Sequence, residues 1–182
     1  MSWWVWIVVA IAFAVAFWYL SSTAGRLDRL HRRVDAGRIA LDRALLERAS
    51  VAAEVSAAGM PDPVAAAVIS DAAHEVRRVP PDNELERSLA ESNLTQVLGA
   101  AFDDPESVTE LASVPGGQDL MVDLESTTRR VELSRRFLND AVRACRDVRY
   151  QWFVRVFRLA GHTPWPQTFE MDDTPPAGFG IR

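Results

Sequence analysis

Near the N-terminus, eighteen uncharged and almost wholly apolar residues follow one another from Trp3 to Leu20 (WWVWIVVAIAFAVAFWYL), and the first charged side chain is Arg26. A helix from Ser2 to Thr23 rises about 33 Å at 1.5 Å per residue, which matches the ~30 Å hydrocarbon core of a bilayer. Trp3, Trp4 and Trp6 stand at one end and Trp18 and Tyr19 at the other, where aromatic rings seek the two interfaces of a membrane. The pattern predicts one membrane crossing. A cleavable signal peptide fits less well, although Ser22-Thr23-Ala24 offers small residues, because no basic residue precedes the apolar run and the run exceeds the usual ~7–15 residues.

Beyond Gly25 the pattern becomes amphipathic. Leu27, Leu30, Val34, Leu41, Leu45, Ala49, Ala52 and Val55 recur at three-, four- and seven-residue steps, with Arg and Asp between them, and predict a long helix ending near Gly59. Gly59-Met60-Pro61-Asp62-Pro63 joins a stop glycine to an Asp cap with proline behind it. A second helix is predicted from about Pro63 to Val79 on Val64, Val68, Ala72, Val76 and Val79, followed by a turn at Pro80-Pro81-Asp82-Asn83. The third runs from about Glu84 to Phe102 on Leu85, Leu89, Leu94, Val97, Leu98 and Ala101. A short helix opens at Asp104-Pro105-Glu106 and breaks at Pro115-Gly116-Gly117. The last helix is predicted from about Asp119 to Ala160, with Leu120, Leu124, Val131, Leu138, Ala141, Cys145, Val148, Trp152, Val156 and Leu159 on one side.

These elements predict an all-α chain: a single transmembrane helix within residues 1–25, an antiparallel bundle of about four helices over residues 26–160, and an irregular proline-rich tail over residues 161–182. With 182 residues there is room for one ordinary domain and its appendages.

Charge sharpens this plan. The net charge of -5 conceals a sorting: seven Arg against four acids in residues 26–48, three against fourteen in 61–125, and nine against three in 126–160. A general nucleic-acid binder is disfavoured by the acidic total and acidic middle. All twenty basic residues are arginine, a bias read as genomic. Arg26, Arg29, Arg32, Arg33 and Arg38 follow the apolar run closely, so the positive-inside rule places the body in the cytoplasm and a short N-terminus outside the cell membrane. In the last helix, Arg143, Arg146, Arg149, Trp152, Phe153, Arg155, Phe157 and Arg158 form a basic aromatic end, a candidate surface for anionic headgroups or a partner.

The sequence offers no assembled catalytic chemistry. His74-Glu75 opens like a zinc-protease helix, but Arg78 stands where the second imidazole is required. Ala53 to Gly59 faintly resembles a Nudix helix, yet Ala57 and Ala58 replace the carboxylates that would hold Mg²⁺. Gly116-Gly117 lacks the context of a phosphate loop. Arg135-Arg136 reads as a solvated face, and Cys145 as an inert core residue. No catalytic, cofactor-binding or metal-ligating residue is therefore expected, and no cofactor or small-molecule substrate.

Ser134-Arg135-Arg136-Phe137-Leu138-Asn139-Asp140-Ala141-Val142-Arg143 resembles the closing-helix signature of the LemA family, a run of the type A-R-R-x-Y-N-x-A-V; Arg135, Arg136, Phe137, Asn139, Ala141 and Val142 carry the likeness. Ala160-Gly161-His162 with Pro164 and Phe169-Glu170 resembles that family's Gly-Phe-x-Pro ending. Leu138 replaces the tyrosine of the first Tyr-Asn pair, and Cys145-Arg146 replaces the second, which marks a divergent member. The resemblance implies a membrane-anchored helical bundle with no established catalytic activity. The expected function is a scaffold or adaptor, bound to membrane lipid by its anchor and to a protein partner, without nucleic acid. The alternatives are a hydrolase whose site forms on oligomerisation and an anionic-lipid-binding module.

Overall fold

A computed structural model describes residues 3–80 and 83–180. Ser2, at the expected start of the span, and Pro81 and Asp82, in the expected turn, lie outside the described residues, as do the last two residues of the tail. Among the described residues the regular elements are all helical: α1 (Trp3–Ala57), α2 (Pro63–Arg78), α3 (Glu84–Ala101), α4 (Pro105–Ser113), α5 (Gly117–Tyr150), α6 (Trp152–Val156) and a single 3₁₀ turn, Ala177–Phe179. The all-α expectation holds.

Local chemistry sets the boundaries. Asp62 caps α2 by accepting from the backbone N–H groups of Val64 and Ala65, with Pro63 in the first turn, where its missing N–H costs nothing. Asp104 and Pro105 repeat the device at α4, and the Asn83 side chain accepts from the Glu86 N–H at α3. Gly25 does not interrupt α1, which continues from the apolar stretch into the amphipathic one.

The chain forms two compact units. One comprises Met1–Ala36 with Asn139–Thr168, the other Gly37–Leu138 with Phe169–Arg182.

The larger unit is the helical bundle. Its core joins Ala49, Ala52 and Val55 of α1, Ile69, Ala73 and Val76 of α2, Leu94 and Leu98 of α3, Met121 and Leu124 of α5, and Phe102. Contacts give the directions. Arg87 reaches Asp42 and Arg48 reaches Glu91, so α3 runs parallel to α1. Gly37 lies against Leu138 while Glu47 pairs with Arg130, so α5 runs antiparallel to α1. A Cβ on Gly37 would stand 3.3 Å from the Leu138 Cα; glycine there lets the two backbones approach.

Three expected stripes are corrected. Val64 and Val68 are exposed on α2, and Ala66, Ile69 and Ala73 lie inward instead. On α3, Leu85 and Leu89 are exposed while Arg87, Glu91 and Thr95 are buried with Leu94 and Leu98. The third stripe, at the end of α5, fails because the helix stops at Tyr150. The tail also does more than trail from the bundle. Phe179 is buried with its ring 5.7 Å from that of Phe102, and the Gly178 N–H donates to the Phe102 carbonyl at 3.0 Å. A Cβ on Gly178 would lie 2.5 Å from that carbonyl oxygen, so glycine is required for the approach.

In the smaller unit, α1 and α5 again run antiparallel, since Arg149 lies beside His31 and Phe153, further along the chain, beside the earlier Tyr19. Leu27 and Val34 on α1 and Ala141, Val142, Cys145 and Val148 on α5 are buried, as is Val154 of α6.

Candidate membrane-surface site

The apolar stretch of α1 is long and apolar enough to cross a membrane, and no residue of its eighteen-residue window is buried. Each large apolar side chain moved out of water gains roughly 1.5–3 kcal/mol, so this surface favours an apolar surrounding strongly. Tyr19 marks its end.

At that end sits α6. Gln151 leaves the helix with φ -61° and ψ 130°, and the chain resumes helically at Trp152. This break corrects the expectation of one helix to Ala160, and its effect is to change which side chains face inward. Trp152 and Val156, expected in the buried stripe, are 72% and 66% exposed, whereas Val154 is buried and Phe153 packs against Tyr19 with ring centroids 5.3 Å apart. Phe157 is 55% exposed, and Arg155 and Arg158 are exposed beside it. The helix closes with a left-handed residue: the Arg158 N–H donates to the Arg155 carbonyl and the Leu159 N–H to the Val154 carbonyl. Glycine ordinarily occupies that position. Here it is Arg158, at φ 49°, which costs about 1–2 kcal/mol for a residue bearing a Cβ.

The other arginines of the expected surface divide. Arg143 is exposed and stands 3.6 Å from Asp140 on its own helix. Arg146 and Arg149, candidate headgroup or partner contacts like it, are turned toward the segment after α6. Arg146 donates to the Pro166 carbonyl and the Gln167 side chain. Arg149 donates to the Pro164 carbonyl at 2.7 Å and the Thr163 carbonyl at 3.0 Å, and its guanidinium lies 4.7 Å from the centroid of the Trp165 ring. Tyr150 meets the same indole edge-on at 5.1 Å. These two arginines are clamps on residues 163–167. The clamp was missed in the sequence, although Arg143, Arg146 and Arg149 recur every three residues and so lie near one face of the helix.

The clamp also touches His31. Burial, followed by the nearby Arg149 charge, holds the His31 imidazole below its ordinary value, with Asp35 and Asp28 opposing. Cys145 is buried, and desolvation raises its thiol above the ordinary value, with the Arg149 charge opposing.

The motif residues fall in both units and have separate duties. Arg135 makes a two-pronged ion pair with Asp173 of the tail, at 2.7 and 2.8 Å, and is not the solvated residue expected. Arg136 is exposed and pairs with Glu132. Phe137 is exposed, while Asn139, Ala141 and Val142 are buried.

The larger unit contains a second charged cluster that the sequence reading missed. Arg48 and Glu91 are 1% and 0% exposed and pair at 2.8 Å, and Arg48 also bonds the Thr95 hydroxyl. Among the described residues, Arg48 Nε and Glu91 Oε1 have no hydrogen-bond partner. Burial therefore lifts the Glu91 carboxyl above its ordinary value, with Arg48 opposing. The signal was present: Arg48 follows Leu41 by seven residues and Leu45 by three, so it stands within the apolar stripe. His74, by contrast, is exposed and bonds the Ser70 carbonyl one turn back. Among the described residues no group of three His, Cys, Asp or Glu is placed to hold a metal ion.

No protein-family model matches this chain, and comparisons with curated proteins and with solved structures likewise find no match.

Proposed function

We propose that this chain is a single-pass protein of the cell membrane whose helical body lies in the cytoplasm and serves as a scaffold or adaptor for a membrane-associated protein. The observation that carries the reading is the apolar stretch at the start of α1, none of it buried over its eighteen-residue window and continued without a break by a polar, arginine-rich helix. A water-soluble protein rarely exposes so large an apolar surface. The arginines that follow the stretch support the cytoplasmic side for the body. The LemA-family resemblance belongs to the same proposal and agrees with a membrane-anchored helical bundle without established catalytic activity.

Support for a partner surface comes from the acidic middle helices. Val64 and Val68 on α2, and Leu85 and Leu89 on α3, are exposed apolar residues in a segment with an excess of eleven negative charges, three Arg against fourteen acids in residues 61–125. Photo-crosslinkers at Val68 and Leu89, activated in native membranes, test the reading. A discrete crosslinked protein, lost when Val68 is replaced by Asp, is expected. Diffuse crosslinking equal to that from exposed Glu110 contradicts an adaptor role.

A further inference from the structure

We propose that α6 docks on the anionic headgroup layer of the bilayer that α1 crosses, so that the chain holds the membrane at a second point beside its anchor. The inference rests on the membrane-anchored reading above and adds the chemistry of the contact. Three observations point to it. First, the Phe153 ring packs at a tilt against Tyr19, an aromatic residue near the end of the apolar stretch, which puts α6 at the depth where a bilayer passes from acyl chain to headgroup. Second, Trp152, Val156 and Phe157 are exposed together on five residues of helix and its cap, apolar surface of the kind that interfacial helices bury at that boundary. Third, the neighbouring exposed charges are Arg155 and Arg158, and Arg158 occupies a left-handed position that glycine fills more easily. A cation held there against the backbone's preference suits phosphate headgroups. Arg146 and Arg149 are engaged with the segment 163–167 and take no part.

The test uses the full chain in vesicles of phosphatidylcholine alone or mixed with phosphatidylglycerol. In a Cys145→Ala background, single cysteines replace Ala14, Val156 or Leu89 and carry a spin label, and accessibility to oxygen and to a water-soluble nickel reagent reports depth. The expected order is Ala14 deepest, Val156 at the headgroup boundary and Leu89 in water. Replacing Arg155 or Arg158 by Gln is expected to lower the ratio of docked to detached α6 about fivefold for each residue in anionic vesicles, with little change in neutral ones. A Val156 label as aqueous as Leu89 while Ala14 is buried overturns the docking and leaves the anchor standing. An aqueous Ala14 label overturns the anchor itself. A Val156 label that is immobile in native membranes but aqueous in vesicles holding this chain as their sole protein overturns lipid docking in favour of a protein partner.

Discussion

In the larger unit, Arg48 lies within the apolar stripe of α1 and must carry its counter-charge inside with it, on Glu91. In the smaller unit, Arg146 and Arg149 stand at the margin of α5 and are satisfied by backbone carbonyls of the segment that folds back over them, while Arg155 and Arg158 remain at the surface. One residue type thus serves as a core ion, a clamp and a surface charge, and the helix face decides which. The difference teaches where each unit is vulnerable: the bundle to loss of one partner in a desolvated pair, the smaller unit to loss of the contacts that seat its tail.

The largest expected effect belongs to the core ion. Arg48→Ala strands the Glu91 carboxylate and is expected to cost about 3–5 kcal/mol, read by denaturant unfolding. Replacing both members, Arg48→Met with Glu91→Leu, is expected to leave stability equal or raise it by about 1–4 kcal/mol. A double variant as damaged as the single one would show that packing around the pair, not its charge, is what matters. Next comes the clamp. Arg149→Ala removes charge-assisted bonds to two carbonyls and is expected to cost about 1.5–3 kcal/mol, with faster amide exchange confined to the neighbourhood of residues 163–167. Exchange that quickens equally through α2 and α3 would break the assignment to one unit.

Acid and base act on the units in opposite senses. Because burial raises the Glu91 carboxyl, the folded chain holds its proton up to a higher pH than the unfolded chain does. That contribution is full below the ordinary glutamate value and is lost as pH rises through the raised one. His31 is held low by burial and Arg149, so its contribution is present above the ordinary histidine value and lost as pH falls through the lowered one. Glu91→Gln is expected to flatten the first slope and His31→Gln the second, measured by unfolding at a series of pH values. A slope unchanged by its own substitution contradicts the assignment. The smallest effect on stability is expected at α6, where Trp152→Ser changes unfolding by no more than about 0.5 kcal/mol because the side chain is exposed.

Much of this architecture was legible in the pattern of residues. The apolar run, the Asp-Pro helix starts and the glycine stops are local signals, and local signals placed five of the helices. The inward stripes of α2 and α3 were not legible, because Val64, Leu85 and Leu89 are apolar at exposed positions while Glu91 and Thr95 are polar at buried ones. Such exchanges depend on partners distant in sequence. The break at Gln151 carries no proline or glycine to announce it, and without the break Trp152 and Val156 fall on the buried side. The seating of Phe179 against Phe102 joins residues far apart in the chain, and the close approach at Gly178 shows only in three dimensions. The basic aromatic end of the last helix was visible as composition; its division into clamps and surface charges needed three dimensions.

The membrane orientation is tested most directly by protease treatment of oriented vesicles carrying the full chain with a C-terminal epitope. With the body in the cytoplasm, inverted vesicles lose the epitope while the apolar stretch of α1 stays with the membrane pellet, and right-side-out vesicles keep the epitope intact. Loss of the epitope from right-side-out vesicles, or release of the whole chain from both kinds by alkaline carbonate, would contradict a single-pass protein with a cytoplasmic body.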